Sequence, residues 1–184
     1  FMELIKQNSQ SQIIKLLLII FLGSIALAIS AKIKIPFYPV PMTMQTFVVL
    51  LLGIGLGYKI ALATVGLYLL EGIMGLPVFS NSPEKGVGLL YFTGPTMGYL
   101  LGFLSACFLA SFIKLEDSYS KIFIKLILSV STIYILGILW LVTLIGLDKP
   151  IIELGVAPFL LAVIFKIFLL TFFIKKIFKF KKFI

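Results

Sequence analysis

No histidine and no arginine occur among the 184 residues, and cysteine occurs once, at Cys107. Without histidine there is no imidazole base and no His-ligated metal. A lone cysteine closes no disulfide within the chain and builds no thiolate zinc site. Charge is scarce as well: charged residues make up 12% of the chain, where a soluble domain carries about 25%. No nucleotide-binding motif, internal repeat or soluble domain is visible.

What fills the chain instead is apolar. The AVILMFWYC set makes up 61%, with 18 Phe, and the mean hydropathy is +1.19. A water-soluble fold of this size cannot hide that much apolar surface. The solvent for most of this chain is therefore lipid. The formal net charge is +9, and every cation is a lysine. Because the lysines flank apolar runs, they read as loops held against an anionic inner leaflet rather than as a nucleic-acid surface.

A span needs about 20 mostly apolar residues. Six stretches qualify as candidates: residues 13–31, 43–57, 59–74, 96–113, 122–145 and 155–177. The expected fold is an all-α bundle of six transmembrane helices forming one integral-membrane domain over 1–184. The second and third stretches are parted only by Gly53, Gly55, Gly57 and Lys59, which reads as a tight hairpin. The alternative is one long span with a re-entrant piece. The first stretch also has signal-peptide features, but its apolar core is long.

Lysine placement sets the orientation. With the amino terminus inside, the inner side carries Lys6, Lys15, Lys59, Lys114, Lys121, Lys125, Lys175, Lys176, Lys179, Lys181 and Lys182. The outer side carries Lys32, Lys34, Lys85 and Lys149. The positive-inside rule then puts both termini in the cytoplasm of a multi-pass protein of the cell membrane. Removing the five tail lysines from the count leaves the same sign.

The outer connections are elaborate. Residues 32–41 hold Pro36, Pro39 and Pro41, which stiffen the chain. Residues 76–95 mix Pro77, Pro83, Gly86, Gly88, Gly94 and Pro95 with Asn81, Ser82, Glu84 and Lys85. Irregular backbone at membrane depth survives when buried in protein or lining a cavity. Two such loops over a helix bundle point to a pocket open to the outside.

Lys166 is the sharpest single residue, an ammonium in the middle of the last apolar run. Intramembrane charges are costly and mark functional sites. One reading is a cation facing a cavity and holding an anionic ligand. The other is a lysine snorkelling to the inner headgroups, which lie near Lys175, about 13 Å away at 1.5 Å per residue. Glu71 reads more simply as an interfacial acid at the end of the third stretch. Asn81 and Ser82 can serve a ligand or a turn. Tyr68, Tyr91, Tyr99, Tyr134 and Trp140 can line a pocket or form an interfacial belt. Asp148, Lys149 and Glu153 read as a solvated loop, and Cys107 as packing. On the first helix Gly23, Ala26 and Ser30 form a small-residue stripe, suited either to packing within the bundle or to docking another membrane protein.

Three runs taken together resemble a known family. They are PFYPVPMTMQT over residues 36–46, GLPVF over 75–79 and GPTMGYLLGF over 94–103. In this order and spacing they resemble BioY, the biotin-binding S components of energy-coupling-factor (ECF) vitamin transporters. The resemblance runs from about Ala26 to Lys166. It implies a substrate pocket near the outer surface, with the loop after helix 1 as a lid and the loop after helix 3 contributing to the site. On it, the substrate-binding set is Thr43, Gln45, Asn81, Lys85, Tyr99 and Lys166, and Gly23, Ala26 and Ser30 are the docking stripe. It implies biotin as ligand and, as partners, a transmembrane coupling subunit and two cytoplasmic ATPases, or else a subunit working alone. The chain itself then needs no cofactor, since ATP is used by the partners, and it is not an enzyme.

The last helix departs from the pattern. The family run is close to PFxxGDxxK; here Pro158, Phe159 and Lys166 match, but the acid is Val163. Valine cannot accept from the ureido N–H groups of biotin, and a lost partner costs about 1–3 kcal/mol. Asn81 is then the expected substitute acceptor. The departure keeps open an S component for another small vitamin. An intramembrane enzyme is the third reading, with only Glu71 and Lys166 to carry chemistry.

Overall fold

The computed structural model describes residues 2–35 and 39–181, and the side chains of residues 10–34 and 39–174. Pro36, Phe37, Tyr38, Lys182 and Phe183 lie outside the described residues. Helix α1 spans Met2–Lys32. A short antiparallel hairpin follows, β1 (Lys34–Ile35) and β2 (Met42–Thr43), with Lys34 opposite Thr43. Then come α2 (Gln45–Ile73), the single turn α3 (Leu89–Phe92), α4 (Met97–Ala110) and α5 (Tyr119–Ile145). The short α6 (Ile151–Gly155) and a 3-10 turn (Ala157–Phe159) lead into α7 (Leu160–Lys181). The last long helix therefore starts at Leu160 rather than at the expected 155. Pro158 sits inside the 3-10 turn, whose entry residue Val156 is non-helical.

Helix α2 is continuous in name only. Gly57 has φ 75° and ψ 165°, a left-handed φ that glycine adopts without a Cβ penalty. In a straight helix, Gln45 and Tyr68 would lie about 34 Å apart along the axis. Their side chains instead share a hydrogen bond of 2.7 Å. The chain reverses at Gly57, and residues 45–56 and 58–73 run antiparallel. By length and apolar composition, four described segments can cross a membrane: Gln10–Lys32, Gln45–Ile73 counted whole, Tyr119–Ile145 and Ile151–Ile174. Met97–Ala110 is apolar but shorter.

Small residues set the packing. A Cβ on Gly98 would lie 2.4 Å from the Leu136 carbonyl oxygen, and one on Gly102 would lie 2.6 Å from the Ile133 Cα. These two glycines, one turn apart, bring α4 directly onto α5. Across the same seam Gly137 leaves room for the Tyr99 ring, 2.4 Å from where its Cβ would be. The GPTMGYLLGF run is thus a packing motif that also aims Tyr99. Cys107 is buried in the contact with α2, its carbonyl 2.5 Å from a Cβ built on Gly53. Phe79 of the GLPVF run lies over Gly72, stacks on Tyr91 at 4.7 Å and meets Tyr68 edge-on at 5.4 Å. The outer faces stay apolar, with Leu17, Leu22 and Ile29 on α1 and Leu161 and Phe172 on α7 all exposed, as a lipid-facing surface requires.

The end of α1, the hairpin, residues 74–96 and the start of α7 share one end of the bundle. At the opposite end, residues 111–118 join α4 to α5. There Asp117 receives Lys125 Nζ at 2.5 Å and the Lys114 N–H at 3.0 Å. Donation from Lys125, seconded by Lys114, holds its carboxyl below the usual range, at about 2. A depressed carboxylate contributes stability that is present above its unfolded value near 3.8 and is lost as pH falls through about 2. Solvent screening at this surface site limits the effect to about 1 kcal/mol or less. Asp117→Asn should lower the melting temperature slightly at pH 7, and the difference should shrink as pH falls toward 2. An equal drop at both pH values would show that the ion pair is not the cause.

Candidate substrate-binding site

The helices converge on a cavity beneath the β1–β2 hairpin. Val163 and Lys166 face it from one side of α7, three residues apart, and Phe159 from the 3-10 turn just before that helix. Tyr99 and Phe103 enter from α4, and Ile133 and Tyr134 from α5. The hairpin supplies Met42 and Thr43, with Gln45 just beyond it, and the long loop supplies Ser80 and Tyr91. The walls are therefore mainly aromatic and aliphatic, with a few polar groups, as is usual for small-molecule sites. The cavity is tight: about 60 Å³ is open to the centre of a water molecule.

Lys166 is the only charged group among the described residues of the lining, and it is 6% exposed. Its Nζ donates to the Thr43 carbonyl at 2.7 Å. The side chain thus reaches across to the hairpin and not along α7 toward Lys175. None of the ion pairs found among the described residues involves Lys166. An ammonium has three donors, and a single neutral acceptor leaves it suited to an incoming anion.

The sequence-derived site residues divide. Thr43, Gln45, Tyr99 and Lys166 line the cavity together. Asn81 and Lys85 are not among the lining residues. Asn81 Oδ1 accepts from Lys34 Nζ at 3.1 Å, and Lys85 lies on the exposed side of the same loop. Of the aromatic candidates, Tyr91, Tyr99 and Tyr134 line the cavity. Tyr68 is fully buried behind Gln45, and Trp140 Nε1 donates to the Gly94 carbonyl, pinning the loop before α4. Glu71 accepts from Ser24 Oγ at 2.9 Å, clasping α1 to α2.

Two features escaped the sequence. Ser80 joins the lining with no motif of its own to announce it, and Thr96 and Phe159 join it from runs already quoted, in which neither was singled out as ligand-facing. Lys32 and Lys34, counted only as outer cations, fasten the hairpin end of α1 to the long loop. Lys32 Nζ donates to the carbonyls of Phe79 at 2.7 Å and Ser82 at 2.6 Å. Lys34 Nζ donates to the Ser80 carbonyl at 2.5 Å as well as to Asn81.

The small-residue stripe also divides. Gly23 is buried, and a Cβ there would lie 2.5 Å from Thr64 Cγ2. Ser30 is 4% exposed and donates to the Leu27 carbonyl. Positions 23 and 30 are about two turns apart and share the face that meets α2. Ala26 is rotated off that face and is exposed. The stripe is thus not one outward surface: Gly23 and Ser30 serve internal packing, and Ala26 alone of the three looks outward.

An apolar helical bundle, an aromatic cavity under a hairpin and one buried ammonium define a membrane-embedded binder of small organic anions. Comparison with known proteins gives this class a family. The chain matches the BioY family over residues 5–183. It is 33% identical over 139 residues to the "Probable biotin transporter BioY" of Pyrococcus horikoshii, covering 76% of this chain and 81% of that protein. It is 35% identical over 134 residues to the "Biotin transporter BioY" of Thermotoga maritima, covering 72% and 78%. The fold matches, with a TM-score of 0.75, a crystal structure of the S-component for biotin from an ECF-type ABC transporter. That match covers 92% of this chain and 93% of the other at 24% identity. The chain belongs to the BioY family.

Proposed function

We propose that the protein takes up biotin across the cytoplasmic membrane as the substrate-specific S component of an ECF-type transporter. The observation that carries this reading is the ammonium of Lys166, buried in an aromatic cavity with no carboxylate beside it among the described lining residues. Biotin supplies the complement: a carboxylate for the lysine, a fused ring and aliphatic chain for Tyr91, Tyr99, Tyr134 and Phe159, and a ureido group for the polar wall of Thr43 and Gln45. The chain needs no cofactor and performs no covalent chemistry. A transmembrane coupling subunit and two cytoplasmic ATPases supply the energy, unless the subunit works alone. Ala26 is the part of the docking stripe that remains available to such a partner.

The β1–β2 hairpin lies over the cavity as a lid, tied down by the bond from Lys166 Nζ to the Thr43 carbonyl, and biotin entry swings it aside. An S component for another small vitamin is the second reading, favoured by Val163 in the lining where the family keeps an acid. Equilibrium titration of the purified protein with biotin tests the choice. Saturable binding of one biotin per chain is expected; no binding of biotin beside tight binding of another vitamin would select the second reading.

In the membrane, six helices cross, with residues 45–56 and 58–73 as separate short spans, and both termini face the cytoplasm. The cavity then opens outward, because α1 runs toward it and α7 away from it. Gln7→Cys and Phe183→Cys, each on a Cys107→Ser background, should resist an impermeant thiol reagent added to intact cells. Labelling of both from outside would overturn the topology.

A further inference from the structure

Behind the polar wall of the cavity lies a hydrogen-bond chain with a fixed direction. The Val78 carbonyl can only accept, and Tyr68 Oη lies 3.3 Å from it. The phenolic proton of Tyr68 is directed at Val78. Gln45 Nε2 donates to Tyr68 Oη at 2.7 Å. The amide is thereby held one way round. Its Oε1 turns toward Thr43, whose Oγ1 is a distant 3.4 Å donor and itself accepts the Gln45 N–H at 3.3 Å. Gln45 is 3% exposed and lines the cavity, so this oxygen is a buried acceptor with a lone pair to spare. Thr43, next to it, offers its carbonyl to Lys166 at 2.7 Å. The cavity thus carries a neutral acceptor at Gln45, while Val163 supplies no carboxylate.

We infer that Tyr68 is a specificity-determining positioning residue: through its bond to Val78 it orients the Gln45 amide so that Oε1, in place of the absent acid, receives an N–H of a cyclic urea ligand. This rests on the biotin reading above. Tyr68 does not touch the ligand; it sets which end of the amide the ligand meets. An amide turned the other way would present an NH₂ group to the ureido N–H, donor against donor.

Tyr68→Phe keeps the ring in its edge contact with Phe79 and removes only the hydroxyl. Binding is measured with biotin and with biotin methylated on both ureido nitrogens. The variant should lose about tenfold for biotin, the effect of one misdirected buried acceptor, and little for the methylated ligand. Gln45→Glu has acceptors at both carboxylate oxygens, so the double variant Gln45→Glu/Tyr68→Phe should recover most of the loss for biotin. Equal losses for both ligands, or no loss for either, would overturn the relay while leaving the biotin reading standing. Wild-type protein that binds neither ligand would overturn both.

Discussion

Lys166→Met should weaken biotin binding by roughly 2–5 kcal/mol, the range for removing one partner of a desolvated charge pair. Methionine keeps most of the unbranched stem and deletes the ammonium, so the packing of α7 in the lining is largely retained. The cause is twofold. The ligand carboxylate loses its counter-charge, and the Thr43 carbonyl loses the donor it holds at 2.7 Å. The two effects separate by ligand. Biotin amidated at its carboxyl carries no charge to be orphaned, so it should lose much less on going from wild type to Lys166→Met. If both ligands lose equally, the lysine acts by holding the hairpin. If biotin binds the variant as it binds wild type, the ammonium has no part in recognition.

Much of the bundle was legible because lipid imposes a simple rule: spans are long apolar runs, and the charges between them mark the ends. The break at Gly57 was visible as a cluster of glycines around Lys59. The start of the last helix was less so, since Pro158 lies inside a 3-10 turn that apolarity alone does not distinguish from helix. Within the site, Lys166 stood out because an intramembrane cation is rare. Tyr99 and Gln45 stood out only through the runs that contain them. Asn81 was misplaced relative to the cavity because its partner, Lys34, is 47 positions away, and no local pattern reports a pairing at that separation. The α1 stripe shows the same limit. Small residues at close spacing announce a near approach of helices, but they do not say which helix approaches. Gly23 meets Thr64 within the bundle, and Ala26 faces outward.

Val163→Asp should tighten biotin binding by about 1–3 kcal/mol, the worth of satisfying a buried polar group that otherwise lacks a partner. Val163 lines the cavity at 7% exposure and lies three residues before Lys166, on the same face of α7. A carboxylate there offers the ureido N–H groups a charged acceptor, stronger than the neutral Gln45 oxygen. The new acid also competes for Lys166 in the empty site, which works against the ligand carboxylate. Tightening therefore requires the ureido gain to exceed that loss, and ligand variants separate the two. Biotin methylated on its ureido nitrogens should show only the loss and bind Val163→Asp more weakly than wild type. Tyr68→Phe placed on Val163→Asp should no longer carry its full penalty for biotin, because Gln45 is then not the sole acceptor. If Val163→Asp weakens biotin and its methylated form alike, the ureido ring lies elsewhere in the cavity and Val163 is simply part of the apolar wall. Combining Val163→Asp with Lys166→Met closes the cycle. It leaves a buried carboxylate without a cation, the costly half of a broken pair, and a coupling between positions 163 and 166 of the same sign in empty and biotin-bound protein would show that the two side chains answer to each other first and to the ligand second.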